Sequence, residues 1–168
     1  GEIVNAIISG YEDAFVIKAI SNSNNTAQEG HGVGGSKVEY MPIGNYRYEG
    51  YAENTFIDTN GEVIEETGRF TFDADFLNET GSLLADTGSL SYSDDNIIID
   101  RQDGSFKGTQ GTIKVPDGSL GNSTIRGNFH GTSAESITGF HMQKSNPWTS
   151  GVRTGGITYT RTLIAGER

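Results

Sequence analysis

The sequence predicts an all-β fold, an antiparallel eight-stranded barrel (eight to nine strands) with a short N-terminal helix. Three observations predict it. RFTFDADF (69–76) alternates strictly, with Phe70, Phe72, Ala74 and Phe76 on one parity and Arg69, Thr71, Asp73 and Asp75 on the other, so one face meets a core and the other water. Short β-prone runs separated by turn signals fill the chain from Lys37 onward. Glycines such as Gly108, Gly127 and Gly139 sit inside those runs, where a strongly coiled sheet needs side chains to be missing.

The first segment has a different period. Ile3, Val4, Ile7, Ile8, Tyr11, Ala14 and Phe15 recur at three- and four-residue steps and form one apolar stripe on a helix, which Gly10 weakens by about 1 kcal/mol. Two helical turns are expected, with DAFVIKAI continuing the helix or running extended. Residues 21–36, SNSNNTAQEGHGVGGS, are polar, glycine-rich and without period, and read as a loop or linker. The expected organisation is therefore a helix and glycine-rich loop over 1–36 and a barrel over 37–168. In NYRYEGYAENTFID (45–58) the tyrosines Tyr46 and Tyr48 lie on one parity and Tyr51 and Ile57 on the other, so a bulge at Gly50 would restore a common face. Asn60-Gly61 is a two-residue hairpin signal. GSLLAD, SLSYS, NIIID, SFKGTQGTIKV, STIRGNFHG, ESITGFHM and GVRTGGITYTRTLI supply the further strands.

Composition bounds the function. The chain's 168 residues fit one domain, and its net charge of -10, from 22 acidic and 12 basic residues, disfavours binding nucleic acid or anionic lipid through phosphate neutralisation. A chain with no cysteine has no disulfide framework, thiolate nucleophile or thiolate metal site. No apolar run is long enough to span a membrane as a helix. The start, GEIV, carries no basic-then-apolar leader, as expected of a leaderless chain or a trimmed mature form.

GNFHGTSAESITGFHM (127–142) contains two of the three histidines. Its Gly127, Phe129, Gly131, Ala134, Ile137 and Gly139 follow Gly-x-Phe-x-Gly-x-x-Ala-x-x-aliphatic-x-Gly. This pattern resembles a signature in the C-terminal half of the eight-stranded barrel domain of bacterial transferrin-binding protein B, shared in shape with factor H binding protein and hemophilin-like haem binders. YRYEGYA, GRFTFDADFLNETGSL and GSFKGT support the resemblance, which covers roughly residues 37–164. It implies a side-chain-filled barrel on a surface-exposed or secreted bacterial protein, extracellular or on the outer membrane, that binds a host protein or an iron source without catalysis. Larger members carry a handle domain before the barrel, whereas about forty residues precede it here. The family's binding residues lie in variable loops and match no positions in this chain, so transferrin itself is not implied.

Candidate ligand-binding residues follow from chemistry. His130 faces outward if Phe129 faces the core, and the direction of His141 depends on which parity of its strand is buried. A haem iron could take either as axial ligand, so haem is the one cofactor considered, with a haem carrier as the alternative function. GHGVGG (30–35) matches the dinucleotide fingerprint in letters, but a polar loop precedes it and no helix follows; His31 within it could still reach a ligand. Trp148, in the loop SNPWTSG, is the only tryptophan, and such residues concentrate at binding hot spots. Tyr46 and Tyr48 complete the set. DTNGEVIEE places glycine at its fourth position, where a calcium loop needs it at the sixth. With neither a Gly-x-Ser-x-Gly elbow nor a His-Glu-x-x-His helix, no catalytic constellation emerges, and no enzyme is expected. A monomer is expected, and a structural or interaction module of a larger assembly is the third reading.

Overall fold

Phe70, Phe72, Ala74 and Phe76 are buried while Arg69 and Asp73 are exposed, as the two-residue period dictates. The computed structural model describes residues 2–23, 26–116, 118–144 and 157–168. It contains an N-terminal sheet of β1 (Glu2–Gly10), β2 (Ala14–Ser23) and β3 (Thr26–Gly35). There follow β4 (Asn45–Asp58), β5 (Val63–Asp75), β6 (Thr80–Asp86), β7 (Ser91–Asp100), β8 (Ser105–Val115), β9 (Gly118–His130), β10 (Ser136–Lys144) and β11 (Ile157–Glu167). These eight close into an antiparallel barrel in which each strand pairs with the next in the chain and β11 returns to β4.

The expected N-terminal helix is absent, since the described residues contain no helix and the apolar run lies in β1 and β2. Isoleucine and valine dominate that run, and branching at Cβ favours the pleated backbone over a helical turn. A hairpin divides it, with Tyr11 N donating to Ala14 O at 2.7 Å. The segment read as a loop is also a strand over Thr26–Gly35, held in register with β2 from Ser23↔Thr26 to Ala14↔Gly35. Phe15 lies over Gly34, its ring 3.0 Å from where a Cβ would stand, and so covers backbone the glycine leaves bare. GHGVGG is thus an edge strand and not a phosphate-binding turn.

Other departures have local causes. β4 and β5 pair without interruption from Asn45↔Asp75 to Ile57↔Val63, so Gly50 makes no bulge. A side chain at Gly50 would stand 2.4 Å from Ala165 O and 2.6 Å from Gly166 Cα, so glycine there permits β11 to approach. At the β4–β5 hairpin only Gly61 takes a positive φ, of 80°, and Asp58 Oδ1 accepts from Asn60 N and Glu62 N, which gives a longer loop than a two-residue turn. The last three residues of SLSYS and all of NIIID belong to one strand, β7, joined across a shift in its pairing with β6. Buried Asp94 fills that break and accepts from Asn96 N and Gln110 N.

The interior is packed by Tyr48, Phe70, Phe72, Phe76, Leu83, Tyr92, Ile99, Phe106, Phe129 and Ile137. Along one row of it two adjacent glycines sit between two large residues. Phe106 on β8 pairs across to Gly127 on β9, which pairs to Gly139 on β10 and then to Ile164 on β11. A Cβ on Gly127 would lie 2.2 Å from the Phe106 ring, so the glycine supplies the space that the ring fills. This accounts for the spacing in GNFHGTSAESITGFHM.

Candidate functional site

The barrel's outer face is covered where β4, β10 and β11 meet the three-stranded sheet. Val16, Leu163 and Ala165 form a second apolar cluster there, with Tyr11, Val33, Tyr51 and Phe140 against it. Because strands covered on both sides have no solvent face, Tyr51, Glu53 and Thr55 lie on the outward parity of β4 and are still wholly or partly buried.

A charged seam runs beside this cluster. Buried Glu53 accepts from the Tyr51 hydroxyl at 2.8 Å and from Arg161 at 3.1 Å, and His31 Nδ1 lies 3.4 Å from the same carboxylate. Lys18 reaches Glu65 at 3.2 Å, and Arg161 stands 3.8 Å from Glu65. Five strands contribute, so the seam ties the sheet (Lys18, His31) to the barrel (Glu53, Glu65, Arg161). Burial, and then the charge of Arg161, hold His31 below its ordinary pKa and keep it neutral at pH 7. A crevice of about 390 Å³ opens beside the seam, lined by Tyr11, Val16, Lys18, Tyr51, Glu53 and Glu65.

His31, Glu53 and Glu65 offer donor atoms within 4.8 Å of one another, a set that could ligate a divalent cation. Arg161 and Lys18 already neutralise those carboxylates, so a cation would have to displace both. The seam is therefore chemically an ion-pair network, and its evident role is to hold two sheets together.

The remaining candidates separate. His130 lies on the outward parity, as expected from Phe129, but is buried beneath the segment that follows β3. Its Nδ1 is 2.7 Å from Ser36 O and its Nε2 2.7 Å from Thr138 Oγ1. His141 faces inward with Ile137 and Gly139, with Nδ1 2.7 Å from Thr124 O, Nε2 3.1 Å from Thr160 Oγ1, and its ring against Tyr92. Each carbonyl must receive a proton from Nδ1, so each Nε2 lone pair accepts from a threonine. Burial lowers both pKa values, consistent with neutral rings whose two nitrogens are engaged. Tyr48 is sealed in the core and donates to Ala134 O at 2.6 Å. Tyr46 is half-buried at the barrel end, against Phe76 and under the Arg168 guanidinium at 4.3 Å. Trp148 and its loop lie outside the described residues. The structure thus brings His31 to the seam and leaves the other described candidates apart.

No family model and no curated protein matches this sequence. Solved structures do match. A tryptophan-to-alanine mutant of the vaccine antigen transferrin binding protein B from Haemophilus parasuis Hp5 superposes with a TM-score of 0.72 over 96% of this chain, at 16% identity. The chain has a transferrin-binding protein B-like fold. Isotype 1 transferrin binding protein B from serogroup B Neisseria meningitidis matches 100% of the chain with a TM-score of 0.64 at 12% identity. The intact Ap-TbpB structure, with N and C lobes, matches 99% with a TM-score of 0.60 at 15% identity. This chain spans 35%, 36% and 39% of the lengths of the Haemophilus, Neisseria and Ap-TbpB proteins respectively. The 96–100% coverage takes in the three-stranded sheet, so the likeness to transferrin binding protein B extends beyond the barrel.

Proposed function

We propose that this chain is a non-enzymatic binding module, of a bacterial surface or secreted kind, that engages a partner protein through its outer faces and loops. The observation that carries this reading is the match of sheet and barrel together to proteins named for binding transferrin. The barrel supports it physically, because an interior filled by aromatic and aliphatic side chains leaves ligand contact to the outside. Haem carriage is less well supported, since iron would compete with Thr138 and Thr160 for the histidine lone pairs.

Surface plasmon resonance on the immobilised chain tests the proposal, with purified transferrin, fractionated serum proteins and haemin as analytes. Saturable binding by a defined serum protein, with a flat haemin response and no Soret shift, is the expected result. A folded chain that binds no protein analyte overturns the proposal, and a Soret band lost on replacing a histidine transfers the role to haem.

A further inference from the structure

The edge of β3 facing away from β2 has no strand partner among the described residues. Free edges are usually blunted by lysine, proline or a bulge, yet residues 30–35 of this one, GHGVGG, carry none of these. A Cβ on Gly32 would meet nothing within 4 Å, so no side chain of that residue obstructs the edge.

The barrel wall beyond this edge forms the floor of a cleft of about 670 Å³, which Val33 of β3 also lines. Ile98 pairs across to Lys107, Lys107 to Arg126, and Arg126 to Phe140, so these four side chains form one outward row over β7 to β10. Ile98 is 69% exposed. Lys107 and Arg126 are exposed cations directly opposite each other, an unfavourable arrangement in a sheet, and neither forms an ion pair among the described residues. Asp100 is the one acidic residue in the cleft lining. On a chain of net charge -10, an unneutralised basic pair flanked by Ile98 and Phe140 fits an anionic, partly apolar ligand, while the like net charge of two copies opposes self-association.

We propose that this cleft docks an extended acidic segment of a partner protein, which adds to β3 as a fourth strand. Side chains at every second position of the segment face the barrel wall, where apolar groups rest on Ile98, Val33 and Phe140 and carboxylates meet Lys107 and Arg126, while the intervening side chains point to solvent. The proposal supplies a surface for the binding role above and rests on that reading.

Fluorescence anisotropy with a labelled octapeptide repeating valine–threonine–glutamate–threonine, which puts valine and glutamate on one face, and with its lysine-for-glutamate counterpart as control, tests the surface. The acidic probe should bind and weaken with salt, and the basic probe should not bind. Lys107→Gln with Arg126→Gln should weaken binding at least tenfold while leaving the circular dichroism unchanged. Bound probe should slow amide hydrogen exchange within Gly30–Gly35, a response that simple charge attraction would not produce. No binding, undiminished binding by the double variant, or unchanged exchange in β3 each overturns the proposal; so does sedimentation showing that the edge pairs with a second copy. Failure of the peptide while serum-protein binding persists removes this surface alone, whereas loss of both removes the binding role.

Discussion

Phe129→Ala removes the ring on which the barrel's aromatic core converges. Phe129 is 1% exposed, and its ring centroid lies 5.1 Å from Phe76, 5.6 Å from Tyr48, 5.7 Å from Phe106 and 6.0 Å from Phe72. Truncating a buried phenylalanine costs about 3–5 kcal/mol, the larger values arising where the surroundings cannot collapse into the cavity. The four neighbouring rings stand on β4, β5 and β8 or just beyond the end of β5, and closed hydrogen-bonded strands restrain their movement, which places the expected loss in the upper half of that range. For a domain of this size, with roughly 2–4 °C lost per kcal/mol, the melting temperature should fall by about 8–20 °C. Urea titration followed by circular dichroism gives the free energy directly, and an unchanged m-value would show that the native state keeps its compactness. Phe129→Leu should lose less than Phe129→Ala. A loss below about 1 kcal/mol for Phe129→Ala, outside the range for large core truncations, would refute the placement of this ring at the centre of a filled barrel.

Gly127→Ala should destabilise by about 1–3 kcal/mol, because the new Cβ would meet both the Phe106 ring and Thr138 O at 2.2 Å, whereas Gly32→Ala, with open space around it, should stay within about 0.5 kcal/mol in the same titration. Glu53→Gln removes the nearer of the two carboxylates facing Arg161, leaving Glu65 at 3.8 Å, and should cost about 1–3 kcal/mol; limited proteolysis should then cut within residues 2–35 before the barrel. His130 and His141 have pKa values lowered by burial from an ordinary 6.5, so their stabilising effect is complete above that pH and declines as pH falls toward the folded values. Each can contribute a slope of up to about 1.4 kcal/mol per pH unit in that window, and urea midpoints from pH 7 down to 5 should fall accordingly. His141→Gln should flatten that decline, and a decline equally steep without His141 would show that another group titrates there.

The barrel was legible where alternation was local. RFTFDADF carries its inside and outside in its own letters, and NYRYEGYAENTFID coincides with β4. β3 was not legible, because a glycine-rich strand has no period of its own and becomes one through pairing with β2. β1 and β2 misled because an isoleucine-rich run satisfies a three-to-four spacing by density alone. The seam left no signal, since Glu53 and Arg161 are 108 positions apart and meet only when the barrel closes. His141 turned on a parity that one strand by itself cannot decide, and Ile137 and Gly139 facing inward settled it.

Barrel closure by β11 against β4 also sets a timetable for assembly. Asn54 waits for Thr162, which arrives 108 residues later, so a growing chain carries an open β4 margin until nearly the whole barrel sequence has been made. Pairings this distant must overcome a large chain-entropy barrier, and folding should be slow for a domain of its length. Until that last strand docks, the exposed margin is vulnerable to capture by neighbouring chains, and secure passage through this interval matters as much as the stability of the finished cylinder.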